Sequence, residues 1–307
     1  MGRVAVVHLV RRANGLEPVR RFLESYRRYS AGLDHDLLLL CKGFAAAAEF
    51  AEFAACEPLL AECTATRLCV PDTGFDLGAY RTAVQQTDYA EYCFLNSFSV
   101  LQAEDWLSKL HACLQQPRVG LVGATGSYES TSENLRHEIR SLPGSFFRRR
   151  RLRALVRLGR LWLDYPLFPN PTIRTNAFLA RRDLLLQAFP RRIATKEDAL
   201  RCESGRRSLT RQVLARGLAT LVVGRDGRGY LPAEWPQSRT FRQLDQPNLL
   251  VADNQTERYA QAPAEEQRWL ASLAWGVAPP SENPGKVPHP APVVPPHATP
   301  TWRSVTS

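Results

Sequence analysis

Residues 72 to 99 read DTGFDLGAYRTAVQQTDYAEYCFLNSFS. Asp72 and Asp76 flank Gly74, and Gly78 follows. Carboxylates at such a turn can accept hydrogen bonds from a nucleoside base or ribose, or they can cap the helix that comes next. Gly74 and Gly78 allow a tight turn and a close backbone approach. Arg81 falls about one helical turn beyond Asp76 and Leu77, where it can pair with a diphosphate or stay solvated. A second group of acids, Glu197, Asp198 and Glu203, precedes Arg207 and Arg211, which are four residues apart and so able to share one helix face. The densest charge lies in FFRRRRLRALVRLGRLW, residues 146 to 162, where arginines alternate with Phe147, Leu152, Leu155, Val156 and Leu158. As a helix this stretch has a basic face beside an apolar one. That suits a membrane surface, and it equally suits a solvated helix with one face on the core.

These residues need a scaffold, and the apolar periodicity predicts one. VAVVHLV, HDLLLLCK, TRLCVPD, EYCFLNS and VGLVGA read as strands, and helical patterns fall over 16–29, over AAAAEFAEFAA, from about Leu77, and over AEDWLSKLHACLQQ. Further on, TNAFLARRD reads as a strand leading into a helix. RRSLTRQVLARG reads as a helix stopped at Gly217, and LATLVVG as a strand. Such alternation predicts an α/β fold with a mostly parallel sheet between helices. Ligands of these sheets bind outside the strand carboxyl ends, where strand order reverses. That rule nominates VRRANG with Val10 and Arg11, DTGFDLG, and NSFS with Asn96, Ser97 and Ser99. His8, inside the first strand, reads as a hydrogen-bonded core histidine. The segment 225–276, with Trp235, Trp269 and Trp275, reads as a cap on the same domain.

The chain has 307 residues, 44% hydrophobic and 23% charged, enough for one sizeable core. The expected domain is 1–276, with an N-terminal half to 125 and a second half from 126; the Pro-rich stretch 277–307 reads as a disordered tail. Seven cysteines without a CxxC pair argue against a zinc site or a disulfide framework. The apolar part of the N-terminus is short for a signal peptide, and no apolar run approaches the roughly 20 residues that span a bilayer. A cytoplasmic protein is therefore expected, peripheral on the inner membrane if 146–162 docks there. The net charge of +10 implies anionic company. The basic cluster lacks a nucleic-acid-binding module, which argues against nucleic acid.

FDLGAY followed by DYAEYCFLNSFSV resembles the turn, helix and strand of GT-A fold glycosyltransferases, in particular bacterial rhamnan-synthesis and surface-polysaccharide transferases. TNAFLARRD is similar to the acceptor-side strand of that fold, and CESGRRSLTRQVLARGLATLVVG to its acid-bearing loop, helix and strand. The resemblance spans roughly residues 3 to 230. It implies an enzyme that moves a sugar from a nucleotide-sugar donor to a glycan or lipid-linked acceptor, with inversion. It also implies a general base, Glu203 first and Asp198 second. In the family an acidic Asp-x-Asp at the end of strand four holds a divalent ion, but here those positions are Asn96, Ser97, Phe98 and Ser99. Either arginines such as Arg207 and Arg211 meet the diphosphate, or a metal sits on another acid, Asp105 or Asp76. A catalytically inactive nucleotide-sugar or glycan-binding module is the alternative.

Overall fold

The computed structural model describes residues 3–44, 63–131 and 163–276, with 56, 58, 59, 159 and 161 between them. The expected helix AAAAEFAEFAA, the basic segment 146–162 except Gly159 and Leu161, and the Pro-rich stretch 277–307 lie outside the described residues. The chain runs β1 (Val4–Arg11), a 3-10 turn (Arg12–Asn14), α1 (Glu17–Arg28), β2 (Asp36–Lys42), β3 (Thr66–Val70), α2 (Phe75–Gln86), β4 (Glu91–Leu95), β5 (Val100–Leu101), α3 (Trp106–Leu114), β6 (Val119–Gly123) and β7 (Gly126–Ser127). After the gap come β8 (Thr172–Ile173), β9 (Ala177–Arg181), α4 (Arg182–Ala188), α5 (Lys196–Ser204), α6 (Leu209–Ala215), β10 (Ala219–Val223) and β11 (Gly229–Tyr230). The chain then continues through a 3-10 stretch (Pro232–Gln237) to β12 (Val251–Ala252), α7 (Asn254–Gln261) and α8 (Ala264–Trp275).

One eight-stranded sheet organises these elements, in the order β11-β10-β6-β9-β4-β1-β2-β3. β1 pairs in parallel with β2 and β4, β2 with β3, and β6 with β10. β9 is antiparallel to both β4 and β6, and β11 is antiparallel to β10. The sheet is thus mostly parallel, as the alternation predicted. The reversal of β9 has a consequence for the site, because its amino end lies at the edge where its neighbours end. Strand order reverses between β1 and β4, which makes the carboxyl ends of these two strands the switch point.

The pleat divides the apolar residues between two faces. Ala5, Val7 and Leu9 of β1 join one core with Leu77, Tyr80, Phe94 and Trp235; Val4, Val6 and Val10 join the other with Phe22, Leu39, Trp106 and Leu110. This period of two, with both faces covered, is what a central strand requires. Trp235 and Trp275 bury into the first core, so the C-terminal segment packs on the same body. The described helices include none long and apolar enough to cross a membrane.

His8 corrects one expectation. It is fully buried, but neither ring nitrogen has a hydrogen-bond partner; the ring stacks on Phe22 at 3.7 Å and 8°. Burial pushes its pKa down to about 3, so the ring is neutral.

Candidate active site

The carboxyl ends of β1, β2 and β3 bring Arg11, Lys42 and Asp72 together. Asp72 Oδ1 lies 3.4 Å from Arg11 Nε and 3.6 Å from Lys42 Nζ. Lys42 leaves only 3% of its side chain exposed, and Asp72 leaves 43%. An ammonium removed from water is costly, and burial lowers the Lys42 pKa while Asp76 and Asp72 oppose the shift. Two acids thus hold this buried cation at the ligand edge.

Next to this group, the turn into α2 is built on Gly74. It occupies the left-handed region at φ 72°, and a Cβ there would come within 3.1 Å of Gly78 Cα. Gly74 therefore serves the turn itself, Gly78 lies inside α2, and α2 starts at Phe75 rather than near Leu77. No side chain caps α2, so neither Asp72 nor Asp76 has that role. Asp76 is partly buried, and loss of solvent raises its pKa against the pull of Lys42 and Arg11. Tyr80, one turn further along the same face, is completely buried with an unpartnered hydroxyl. Its pKa is raised by burial first, and then by Asp76 and Glu203.

Glu203 arrives from the last turn of α5, a position the helix dipole disfavours for an acid. It does not cap the following helix; the Ser208 hydroxyl does, accepting from Arg211 N–H. Protein atoms crowd the Glu203 carboxyl although some of the residue stays accessible. Burial and the charge of Asp76 push its pKa up to about 7, against Arg174, a hydrogen bond with Thr175, and Lys196. Such a carboxyl exchanges its proton near neutral pH. Arg174 is pinned from behind: Nη2 donates to Asp253 Oδ2 at 2.9 Å, and the guanidinium lies 4.2 Å from the Phe241 ring centroid.

Several expected residues are committed elsewhere. Asp198 sits in a capping box at the start of α5, where Oδ2 accepts from the Ala194 and Thr195 amides and Oδ1 pairs with Arg201; these bonds lower its pKa. Thr195→Ala should cost about 1 kcal/mol of folding stability in chemical denaturation, the usual worth of such a cap. Arg81 donates to the Phe189 carbonyl at 2.9 Å. Arg207 precedes the N-cap Ser208, so it does not share a helix face with Arg211. Arg211 Nε donates to Asn170 Oδ1 at 3.2 Å, and Asn170 Nδ2 donates to the Ser204 carbonyl at 2.8 Å. Arg211 thus braces the end of α5 from behind. The Val10 side chain lies in the core, which leaves only its backbone at the edge.

The strand-four turn is closed on itself. Asn96 Oδ1 accepts from the Phe98 amide and the Ser99 hydroxyl, each at 3.0 Å, while Asn96 N–H donates to the Asn176 carbonyl. Ser97 and Ser99 are buried. A hard divalent cation prefers carboxylate oxygens, and this turn offers an amide oxygen already in use, so its donor set does not fit one. Among the described residues no three of His, Cys, Asp and Glu cluster as metal ligands would. Asp105 is remote from the group: it packs against Gly32 in the connection entering the amino end of β2.

Sequence reasoning missed Lys42, Tyr80, Arg174 and Thr175. The carboxyl-end rule applied to β2 finds Lys42. Arg174 and Thr175 precede β9, and only the reversed direction of that strand places them at the same edge.

No protein-family profile matches the chain, and no curated protein matches its sequence. Solved structures with a similar chain path include a mannosyltransferase from Pyrobaculum calidifontis in complex with GDP-Man and Mn2+. It is 12% identical, with TM-score 0.43, over 72% of this chain and 54% of that one. Another is glucosyl-3-phosphoglycerate synthase from Mycobacterium tuberculosis in complex with Mn2+, uridine-diphosphate and phosphoglyceric acid. It is 17% identical, with TM-score 0.34, over 60% of this chain and 57% of that one. The chain therefore matches little more than half the length of each.

Proposed function

We propose that this chain is an inverting glycosyltransferase that moves a sugar from a nucleotide-sugar donor to a surface-polysaccharide or lipid-linked glycan acceptor. The observation that carries the reading is Glu203, a carboxyl poised near pH 7 beside Asp76, Thr175 and Arg174 at the carboxyl edge of the sheet. In this reading Glu203 takes the proton of an acceptor hydroxyl as its oxygen bonds to the anomeric carbon. The bond from that carbon to the diphosphate breaks on the opposite face, and the electron pair leaves with the nucleoside diphosphate. A base works best when its pKa lies near the operating pH. Asp198 is not the base of this mechanism, because its oxygens are held by the cap.

Arg11 and Lys42 take the place first given to Arg207 and Arg211 as the cations nearest the donor, with Asp72 and Asp76 recognising the nucleoside. The segment 146–162 remains the part proposed to meet the inner-membrane surface of a cytoplasmic enzyme. The test is calorimetric titration with a panel of nucleoside diphosphates and nucleotide sugars, first in EDTA and then with manganese. Binding in EDTA is expected. Binding only with manganese would place a metal where this reading has cations, and binding with no transfer to any glycan would favour the binding-module alternative. Failure to bind any of the panel would remove the reading.

A further inference from the structure

Cys41 of β2 and Cys69 of β3 stand directly opposite each other in the parallel register. Paired residues on neighbouring strands project to the same face, and strands lie about 4.7–4.9 Å apart. That spacing falls within the roughly 4.4–6.8 Å Cα separation that a disulfide spans. Among the described residues β3 is an edge strand, paired with β2 alone. Cys69 is exposed at this edge and Cys41 is buried beneath it, and both thiols are free. Cys41 also feels the charges of Cys69 and of Arg67, which precedes Cys69 by two residues on the same strand.

We propose that Cys41 and Cys69 form a reversible disulfide that staples the edge strand to the sheet when the chain meets a low-molecular-weight disulfide such as oxidised glutathione. The Cys69 thiolate attacks one glutathione sulfur, forming a mixed disulfide and releasing one glutathione thiolate. The Cys41 thiolate then attacks the Cys69 sulfur and releases the second. Two protein thiols are oxidised, one glutathione disulfide is reduced to two glutathiones, and the two thiol protons pass through solvent to the leaving thiolates. Burial pushes the Cys41 thiol up to about 12, so the second step is slow and quickens with rising pH. Exposed bridges are the easily reduced kind, which makes this one a switch rather than a permanent clamp. Cys41 adjoins Lys42, and Cys69 lies three residues before Asp72, so the staple fixes the spacing of the Lys42–Asp72 pair.

The test is to incubate the full chain with oxidised glutathione, block remaining thiols by alkylation after denaturation, and map tryptic peptides. Cys41 falls in peptide 29–42, Cys69 in 68–81, and Cys56 and Cys63 in 43–67. The expected result is a 29–42 to 68–81 pair that forms faster at higher pH and disappears on reduction. Cys41→Ser should leave a lasting glutathione adduct on 68–81, and Cys69→Ser should abolish the bridge. A lasting adduct on Cys69 in the unsubstituted chain, with Cys41 fully alkylated, overturns the proposal. A bridge to 43–67 overturns it as well.

Discussion

Glu203→Gln should lower sugar transfer by about 10²–10⁴-fold, the usual contribution of a general base, while nucleotide-sugar binding stays within a few-fold of the unsubstituted chain. The amide keeps the shape of the carboxyl and loses only its capacity to take a proton. In the unsubstituted chain the rate should rise with pH through about 7, because the ionised form is the working base. The same substitution should also raise stability. A carboxyl whose folded pKa is about 7 against an unfolded value of 4.5 favours folding fully below pH 4.5 and loses that advantage as pH rises through 7. At pH 8 the ionised group therefore weighs against the fold, and its removal should stabilise by about 1–3 kcal/mol after allowance for solvent screening. Loss of activity with gain of stability is the signature of a residue placed for chemistry rather than for packing. Full activity in Glu203→Gln would reject the assignment, and a lost rate with lost stability would make Glu203 a structural residue.

His8 should make the protein sensitive to acid. Its folded pKa of about 3 lies below the unfolded 6.5, so the unfolded chain binds a proton that the folded chain refuses. The stability is complete above pH 6.5 and falls as pH drops towards 3. At about 1.4 kcal/mol per unit, roughly 2 kcal/mol is lost by pH 5 and up to about 5 kcal/mol by pH 3. That is a large share of the total for a typical domain, about 5–15 kcal/mol. Urea unfolding of the unsubstituted chain and of His8→Leu at a series of pH values should give curves that diverge as pH falls, the variant being the flatter. Glu203 acts with the opposite sign, is present in both proteins, and cancels in the comparison. Parallel curves would show that His8 finds a proton-accepting partner in solution. If His8→Leu does not fold, His8→Gln tests the same difference.

Much of the scaffold could be read directly because burial leaves a periodic trace. β1, β2, β4 and β6 are short apolar runs, and α1 shows its inward stripe of Val19, Phe22 and Leu23. The acid-bearing turn was legible for a similar local reason, since Gly74 marks a left-handed backbone geometry that other residues resist. Side-chain commitments were not legible. Asp198 and Glu203 are both acids on α5, yet one is fixed by two backbone amides at the helix start and the other is crowded at the helix end. Arg211 looked like a ligand-facing cation but spends its guanidinium on Asn170, forty-one residues earlier in the chain.

The sequence alone determined the order and type of most elements and which loops leave the strand carboxyl ends, because period, length and turn chemistry are properties of neighbouring residues. The tertiary structure decided which charges meet. Lys42 found Asp72 through the pairing of β2 with β3, and Arg174 reached Glu203 because β9 runs against its neighbours. The proton affinity of Glu203 follows from that assembly, since desolvation and the field of Asp76 arise only when α2 and α5 pack over the same edge.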